Sequence, residues 1–174
     1  MSTQLFTNAH IATGMPSSTA ADTAAIQDIL VEDGKFVSIA PNLKATLEAQ
    51  GQDRASVEVI DLGGKLVCPP FCDTHLHLDY VFTARKPGAV NESGTLFEGI
   101  QRWSETKADL TVDEIKERAK IGIAKEMRHG VQFIRSHADV TDPNLTSLKA
   151  LLELKEELKD TVTLQIVSFP QEGM

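Results

Sequence analysis

Residues 73–79, Asp73-Thr74-His75-Leu76-His77-Leu78-Asp79, hold the densest chemistry in the chain. On an extended backbone, residues i and i+2 project to one face, so the imidazoles of His75 and His77 converge. Two neutral imidazoles suit a borderline divalent ion such as zinc or iron(II). An isolated H-x-H also arises by accident at a surface strand end. Here it sits between an apolar strand and a loop, which favours the metal. Arg135, His137 and Asp139 share one face of a later strand and form a candidate polar cluster. His129 precedes Gly130 at a helix end, where a basic group favours the helix dipole. His10 has no supporting context. Cys68 and Cys72 are too few and too sparsely spaced for a metal site of their own, and are expected to be buried thiols.

The elements that must position these residues follow two grammars. Over the first sixty residues the chain reads as short strands with turns. Residues 27–32 and 35–39 flank Asp33-Gly34, a strong hairpin signal because the tight turn needs positive φ. Residues 15–19 read as a polar loop, 43–55 as loop or short helix, and 58–62 with Gly63-Gly64 as strand and turn. From Lys65 onward the pattern alternates. Residues 71–78 form a strand, and a helix begins at Thr95 with Leu96, Ile100 and Trp103 on one stripe. A second helix opens with Thr111 as cap and Glu114 three residues later, the capping-box spacing. Ile115, Ala119, Ile123 and Met127 carry its apolar stripe, and Gly130 ends it. Residues 131–140 are the next strand. Asp142-Pro143 reads as cap and first position of a third helix, with Leu145, Leu148, Leu151, Leu152 and Leu158 facing inward. Residues 161–169 are a further strand.

Strand, helices, strand, helix, strand is the order of a parallel α/β sheet with right-handed crossovers. Three strands leave a raw edge, and a (β/α)8 barrel needs eight strands and about 250 residues. The expected fold class is therefore α/β: the first three strands and helices of a TIM barrel, apparently truncated, preceded by a small β-sandwich segment. The expected domains are residues 1–64 and 65–174.

Composition excludes several classes. The 174 residues carry 17 basic and 25 acidic side chains, a net charge of −8, with 41% hydrophobic residues. A pI near 5.1 argues against a nucleic-acid or anionic-membrane binder, both of which need clustered Lys and Arg. No stretch approaches the ~18 apolar residues of a membrane span. The N-terminus lacks a signal-peptide pattern, and two cysteines suggest a reducing, cytoplasmic setting.

The run 66–77, from Leu66 through Cys68-Pro69-Pro70 to His75-Leu76-His77, resembles the start of an amidohydrolase-superfamily barrel. Within that superfamily, Ser93-Gly94-Thr95-Leu96-Phe97-Glu98-Gly99-Ile100, Arg135-Ser136-His137-Ala138-Asp139-Val140 and residues 164–173, which contain Phe169-Pro170-Gln171, resemble bacterial cytosine deaminases. The similarity runs from about Leu66 to the end of the chain and is weaker over residues 1–60. The resemblance implies that His75 and His77 ligate a single catalytic divalent metal, iron or zinc. It implies that Gln171 reads the edge of a pyrimidine-like small-molecule substrate; an amide offers one acceptor and two donors to such an edge. By itself Gln171 reads as a surface-loop glutamine. Leu96 and Phe169 would be apolar pocket walls. His137 would support the site and not ligate, because the family's other metal ligands and its proton-moving groups come later. These would lie beyond Met174, so no catalytic residue is assigned within the chain.

The resulting expectation is a metal-dependent aminohydrolase that releases ammonia from cytosine or a related ring, homo-oligomeric when full length, with the 174-residue chain alone inactive. The alternatives are a deaminase of another cyclic substrate (isocytosine, a creatinine-like ring, a triazine), a ring-opening cyclic amidase, or a non-catalytic relic or interaction protein.

Overall fold

The computed structural model describes residues 2–11, 26–49 and 57–173. The loop expected at 15–19, and residues 50–55 of the expected loop or helix, lie outside them. The chain divides into two compact units between Pro69 and Pro70.

In the first unit, β1 (Thr3–Ile11) is the central strand. Leu5, Thr7 and Ala9 alternate inward along it, the period-2 signature of a half-buried strand. On one side it pairs antiparallel with β2 (Ile26–Glu32), which pairs antiparallel with β3 (Lys35–Ala40). On the other it pairs parallel with β4 (Val57–Asp61) and β5 (Leu66–Val67). Asp33 and Gly34 both have positive φ, 47° and 77°, as the tight hairpin requires. The short helix α1 (Leu43–Ala49) follows, and Leu43 closes a small core with Leu5 and Leu30. Residues 66 and 67, read from sequence as the approach to the next strand, instead extend this first sheet.

The second unit is a three-stranded parallel sheet, β6 (Phe71–Leu76), β7 (Val131–Asp139) and β8 (Thr163–Phe169), in that order. Between β6 and β7 run α2 (Leu96–Lys107) and α3 (Val112–Arg128); α4 (Thr146–Glu157) joins β7 to β8. Thr95 caps α2 and Thr111 caps α3, each side chain accepting from the backbone N–H three residues on. Such caps satisfy donors that the first helical turn leaves orphaned. Gly130 ends α3 at φ 85°. Ile115, Ala119 and Ile123 of α3, Ala150, Leu151 and Leu154 of α4, and Ile134, Ala138 and Leu164 of the sheet form one core.

Two expectations about α4 are corrected. Asp142 is not the N-cap residue, which is Leu145: its carboxylate closes a turn on the N–H of Asn144 and reaches the N–H of Thr146, the first residue of α4, both at 2.9 Å. Leu145 then takes a left-handed φ of 52° before the helix starts. This shifts the buried face. Leu151 and Leu154 are fully buried, whereas Leu152 is 51% and Leu145 37% exposed. Leu151→Ala should therefore cost about 2–5 kcal/mol and Leu152→Ala less than about 0.5 kcal/mol. Denaturant melts of the two variants check this, and equal losses would refute the assignment of the buried face. Cys68 and Cys72 are both exposed, not buried: neither sits on a strand face covered by a helix.

Candidate metal and ring-binding site

The site is built at the carboxyl ends of the parallel strands. Along β7 and β8 the register pairs Arg135 with Gln165, His137 with Val167 and Asp139 with Phe169 on one face. The opposite face, Ile134, Ser136 and Ala138, is buried and packs toward the helices. β6 enters this arrangement through a bulge. Asp73 pairs with Ile134 but Leu76 pairs with Ser136, so three steps on β6 match two on β7. One extra residue flips the strand's alternation. Leu76 then packs on the helical core, and His75 and His77 fall on the face that carries His137.

There the three imidazoles meet. The Nε2 atoms of His75 and His77 stand 3.3 Å apart, with ring centroids at 5.2 Å. His137 stacks on His75 at 4.1 Å and 21°, and Phe169 sets its edge against His77 at 5.2 Å. Burial lowers the His77 pKa, and the neighbouring His137 and His75 lower it further. It is therefore neutral at pH 7, the state a metal ligand needs. Among the described residues no group of three or more His, Cys, Asp or Glu is arranged to hold a metal ion. The donor set fits two ligands: two imidazole Nε2 atoms aimed at one another's vicinity, with neutral His77 between aromatic neighbours. The Nδ1 atom of His137 is buried without a hydrogen-bond partner among the described residues.

The segment after His77 is held tightly. Leu78 N–H donates to Ser136 Oγ at 3.1 Å. Arg118 of α3 donates to the backbone carbonyls of Val81 and Asp79, at 2.6 and 3.0 Å. Asp79 is fully buried, and its carboxylate accepts from the N–H of Asp139 at 2.8 Å and of Tyr80 at 3.1 Å. Burial pushes its pKa up to about 6. Tyr80 stacks on His77 at 4.7 Å and meets Trp103 at 4.8 Å. Burial, with the nearby Asp79 and Asp139 charges, pushes its phenol up to about 12, so it stays neutral.

Beside these rings lies a cavity of 470 Å³, lined by Tyr80, Thr95, Leu96, Ile100, Trp103 and Gln171 among others. Leu96 is 72% exposed; it is a cavity-wall residue and not part of the helical core stripe expected with Ile100 and Trp103. The loop before α2 is drawn in by Glu98, whose carboxylate accepts from the N–H groups of Glu92 and Ser93 at 3.1 and 2.7 Å. Hydrogen bonding from Ser93 and Glu92 brings the Glu98 pKa down to about 2.

The expected cluster of Arg135, His137 and Asp139 does not form as one group. Arg135 donates to Gln165 Oε1 at 2.7 Å, His137 stacks on His75, and Asp139 is buried at the strand end. Asp139 Oδ2 accepts from Trp103 Nε1 at 2.7 Å and Lys107 Nζ at 3.1 Å, and Oδ1 accepts from the Thr141 N–H and hydroxyl. Asp79, Tyr80, Trp103 and Lys107 were not singled out as site residues from sequence. Only Asp79 had a visible cue, its place two residues after His77.

Parallel strands carrying convergent histidines at their carboxyl ends, backed by helices, define an α/β scaffold with a candidate site at the strand ends. Residues 58–173 match the amidohydrolase family, and the chain belongs to it. It is 39% identical to the 5-methylcytosine deaminase of Klebsiella pneumoniae, solved with 5-fluorocytosine, at a TM-score of 0.78; the match covers 97% of this chain and 37% of that one. It is 30% identical over 152 residues to N-isopropylammelide isopropyl amidohydrolase of Pseudomonas sp. strain ADP, covering 85% of this chain and 36% of that protein. A pterin deaminase of Rhizobium rhizogenes is 28% identical, over 84% of this chain and 32% of its own length. The chain thus spans about a third of the length of these curated relatives. Its open parallel sheet corresponds to the N-terminal part of their barrel fold. No helix among the described residues is long and apolar enough to cross a membrane.

Proposed function

We propose that the protein is a metal-dependent aminohydrolase that releases ammonia from cytosine or a closely related pyrimidine-like ring. The observation that carries this reading is the double placement of Tyr80. Its ring stacks on His77 and also lines the cavity that Gln171 lines, so one aromatic side chain adjoins both the histidine pair and the space that the amide faces. The 39% identity to a deaminase of 5-methylcytosine supports the choice of ring.

In this reading His75 and His77 would hold one divalent ion, zinc or iron. When bound, such an ion would supply Lewis acidity that makes water nucleophilic near neutral pH. Gln171 presents both an acceptor and donors to the ring edge and orients the amine-bearing carbon. Tyr80, Trp103 and Leu96 supply apolar walls of the cavity, whereas Phe169 lies against His77 and His137 and not in that wall. No proton carrier is assigned among the described residues. The partner is a small molecule, in a cytoplasmic homo-oligomer.

The test is ammonia release by the complete protein across cytosine, 5-methylcytosine, isocytosine, creatinine and an aminotriazine. Cytosine or its 5-methyl derivative should give the highest kcat/KM. Gln171→Ala should lower that value by about 1–3 kcal/mol of transition-state binding and leave metal content intact. Turnover of none of these rings, or an unchanged kcat/KM in Gln171→Ala, would sink the reading.

A further inference from the structure

Lys107, the last residue of α2, is an aliphatic stem buried to its tip: its side chain is only 12% exposed. Its ammonium donates to three acceptors, Asp139 Oδ2 at 3.1 Å, Thr141 Oγ1 at 2.5 Å and Glu172 Oε1 at 2.5 Å. The first is the last residue of β7 and the second lies just beyond it; the third lies 65 residues along the chain, in the turn after β8. The two ends of this contact differ in rigidity. Asp139 is fixed by Trp103 and Thr141 as well as by Lys107. The Glu172 side chain is 36% exposed, and among the described residues its turn is closed by one backbone bond, Gly173 N–H to Pro170 carbonyl at 3.0 Å. The bonds from Lys107 and Ser104 hold the Glu172 carboxyl below its usual pKa.

Glu172 is the immediate neighbour of Gln171. The cavity is lined by Leu96, Ile100 and Trp103 of α2 and by Gln171 of the turn after β8. Lys107, with Ser104 of the same helix, ties that turn to α2 through Glu172.

We propose that Lys107 is a positioning residue, whose ion pair with Glu172 holds the turn after β8 at a set distance from α2 and thereby aims the Gln171 amide at the substrate. The proposal rests on the ring-reading role of Gln171. A pair with one exposed partner adds little to stability, so its value here is geometric. A side chain displaced by an ångström loses much of its effect on a bound ring.

The test uses the complete, metal-loaded protein. Glu172→Ala leaves the Lys107–Asp139 pair in place and should fold normally. It should raise KM for the preferred ring about tenfold while kcat changes by less than about threefold. Metal content should not change. Backbone amides of residues 171–173 should exchange with deuterium about tenfold faster. The Lys107→Met/Glu172→Ala double variant should raise KM no further than Glu172→Ala alone, because Glu172→Ala already removes the ties from both Lys107 and Ser104. If Lys107→Met fails to fold, Glu172→Ala decides alone. Faster exchange with an unchanged KM overturns the positioning role, as does a raised KM with unchanged exchange. Faster exchange in a protein that deaminates no ring leaves the clamp standing and refutes the proposed function. Neither exchange nor KM responding, in a protein that still deaminates the ring, refutes the clamp and leaves the proposed function standing.

Discussion

In the complete protein, His75→Ala or His77→Ala should remove both the bound metal and the deaminase activity. Each change deletes one of two Nε2 atoms that now stand 3.3 Å apart, and a hydrolytic site that holds its metal by about three protein ligands cannot spare one. Loss of an outer partner of a metal ligand already costs about 10–100-fold in affinity, so loss of a ligand itself should exceed that. His129→Ala is the control: that imidazole is exposed at the end of α3, and its removal should leave metal and rate unchanged. Elemental analysis after dialysis, with an ammonia-release assay, measures both quantities. A His75→Ala/His77→Ala protein that keeps its metal and its rate would show that the pair is not the metal site.

The largest stability effect is expected at Asp139. Asp139→Ala strands the Trp103 N–H and leaves the Lys107 ammonium, whose side chain is 12% exposed, with Glu172 as its remaining carboxylate. Removing one partner of a buried charge pair typically costs about 3–5 kcal/mol. The loss should depend on pH with a defined sign. Burial alone would raise the Asp139 pKa, but hydrogen bonds from Thr141, Trp103 and Lys107 outweigh it and hold the carboxyl below its ordinary value. A carboxylate lowered in the folded state stabilises it above the unfolded pKa of about 3.9, and that stability is lost as pH falls through the folded value. Asp139→Ala should thus be most damaging near neutral pH, and the gap to wild type should narrow in acid, as pH falls below the ordinary Asp range. Denaturant melts at the two pH values test this. A constant gap would mean that Asp139 acts by packing and not by its charge.

What was legible in the sequence was local. Thr95 and Thr111 cap their helices because a cap needs only a hydroxyl and an N–H three residues on. Asp33-Gly34 turns the chain because two successive residues must accept positive φ. The membership of the family was legible too, since His75-Leu76-His77 and the three later motifs occur in order over residues that match it. Where a local signal had two outcomes, the reading failed. Asp142-Pro143 suited a helix start, but the Asp142 carboxylate closes a turn on Asn144 and reaches the Thr146 N–H, and α4 begins later with its buried face rotated away from Leu152.

The tertiary structure decided which face the histidines occupy and what surrounds them. Period-2 spacing puts His75 and His77 together, but only the bulge against β7 turns them toward His137 and away from the helices. A bulge is a mismatch between two strands 60 residues apart, so neither strand carries it alone. The same holds for Asp79 bonding the Asp139 N–H, Trp103 bonding the Asp139 carboxylate and Lys107 reaching Glu172. Each contact joins residues that share no periodicity and no local motif. A sequence specifies such partners only through the packing of the α2, β7 and β8 ends, and that packing exists only once the sheet has formed.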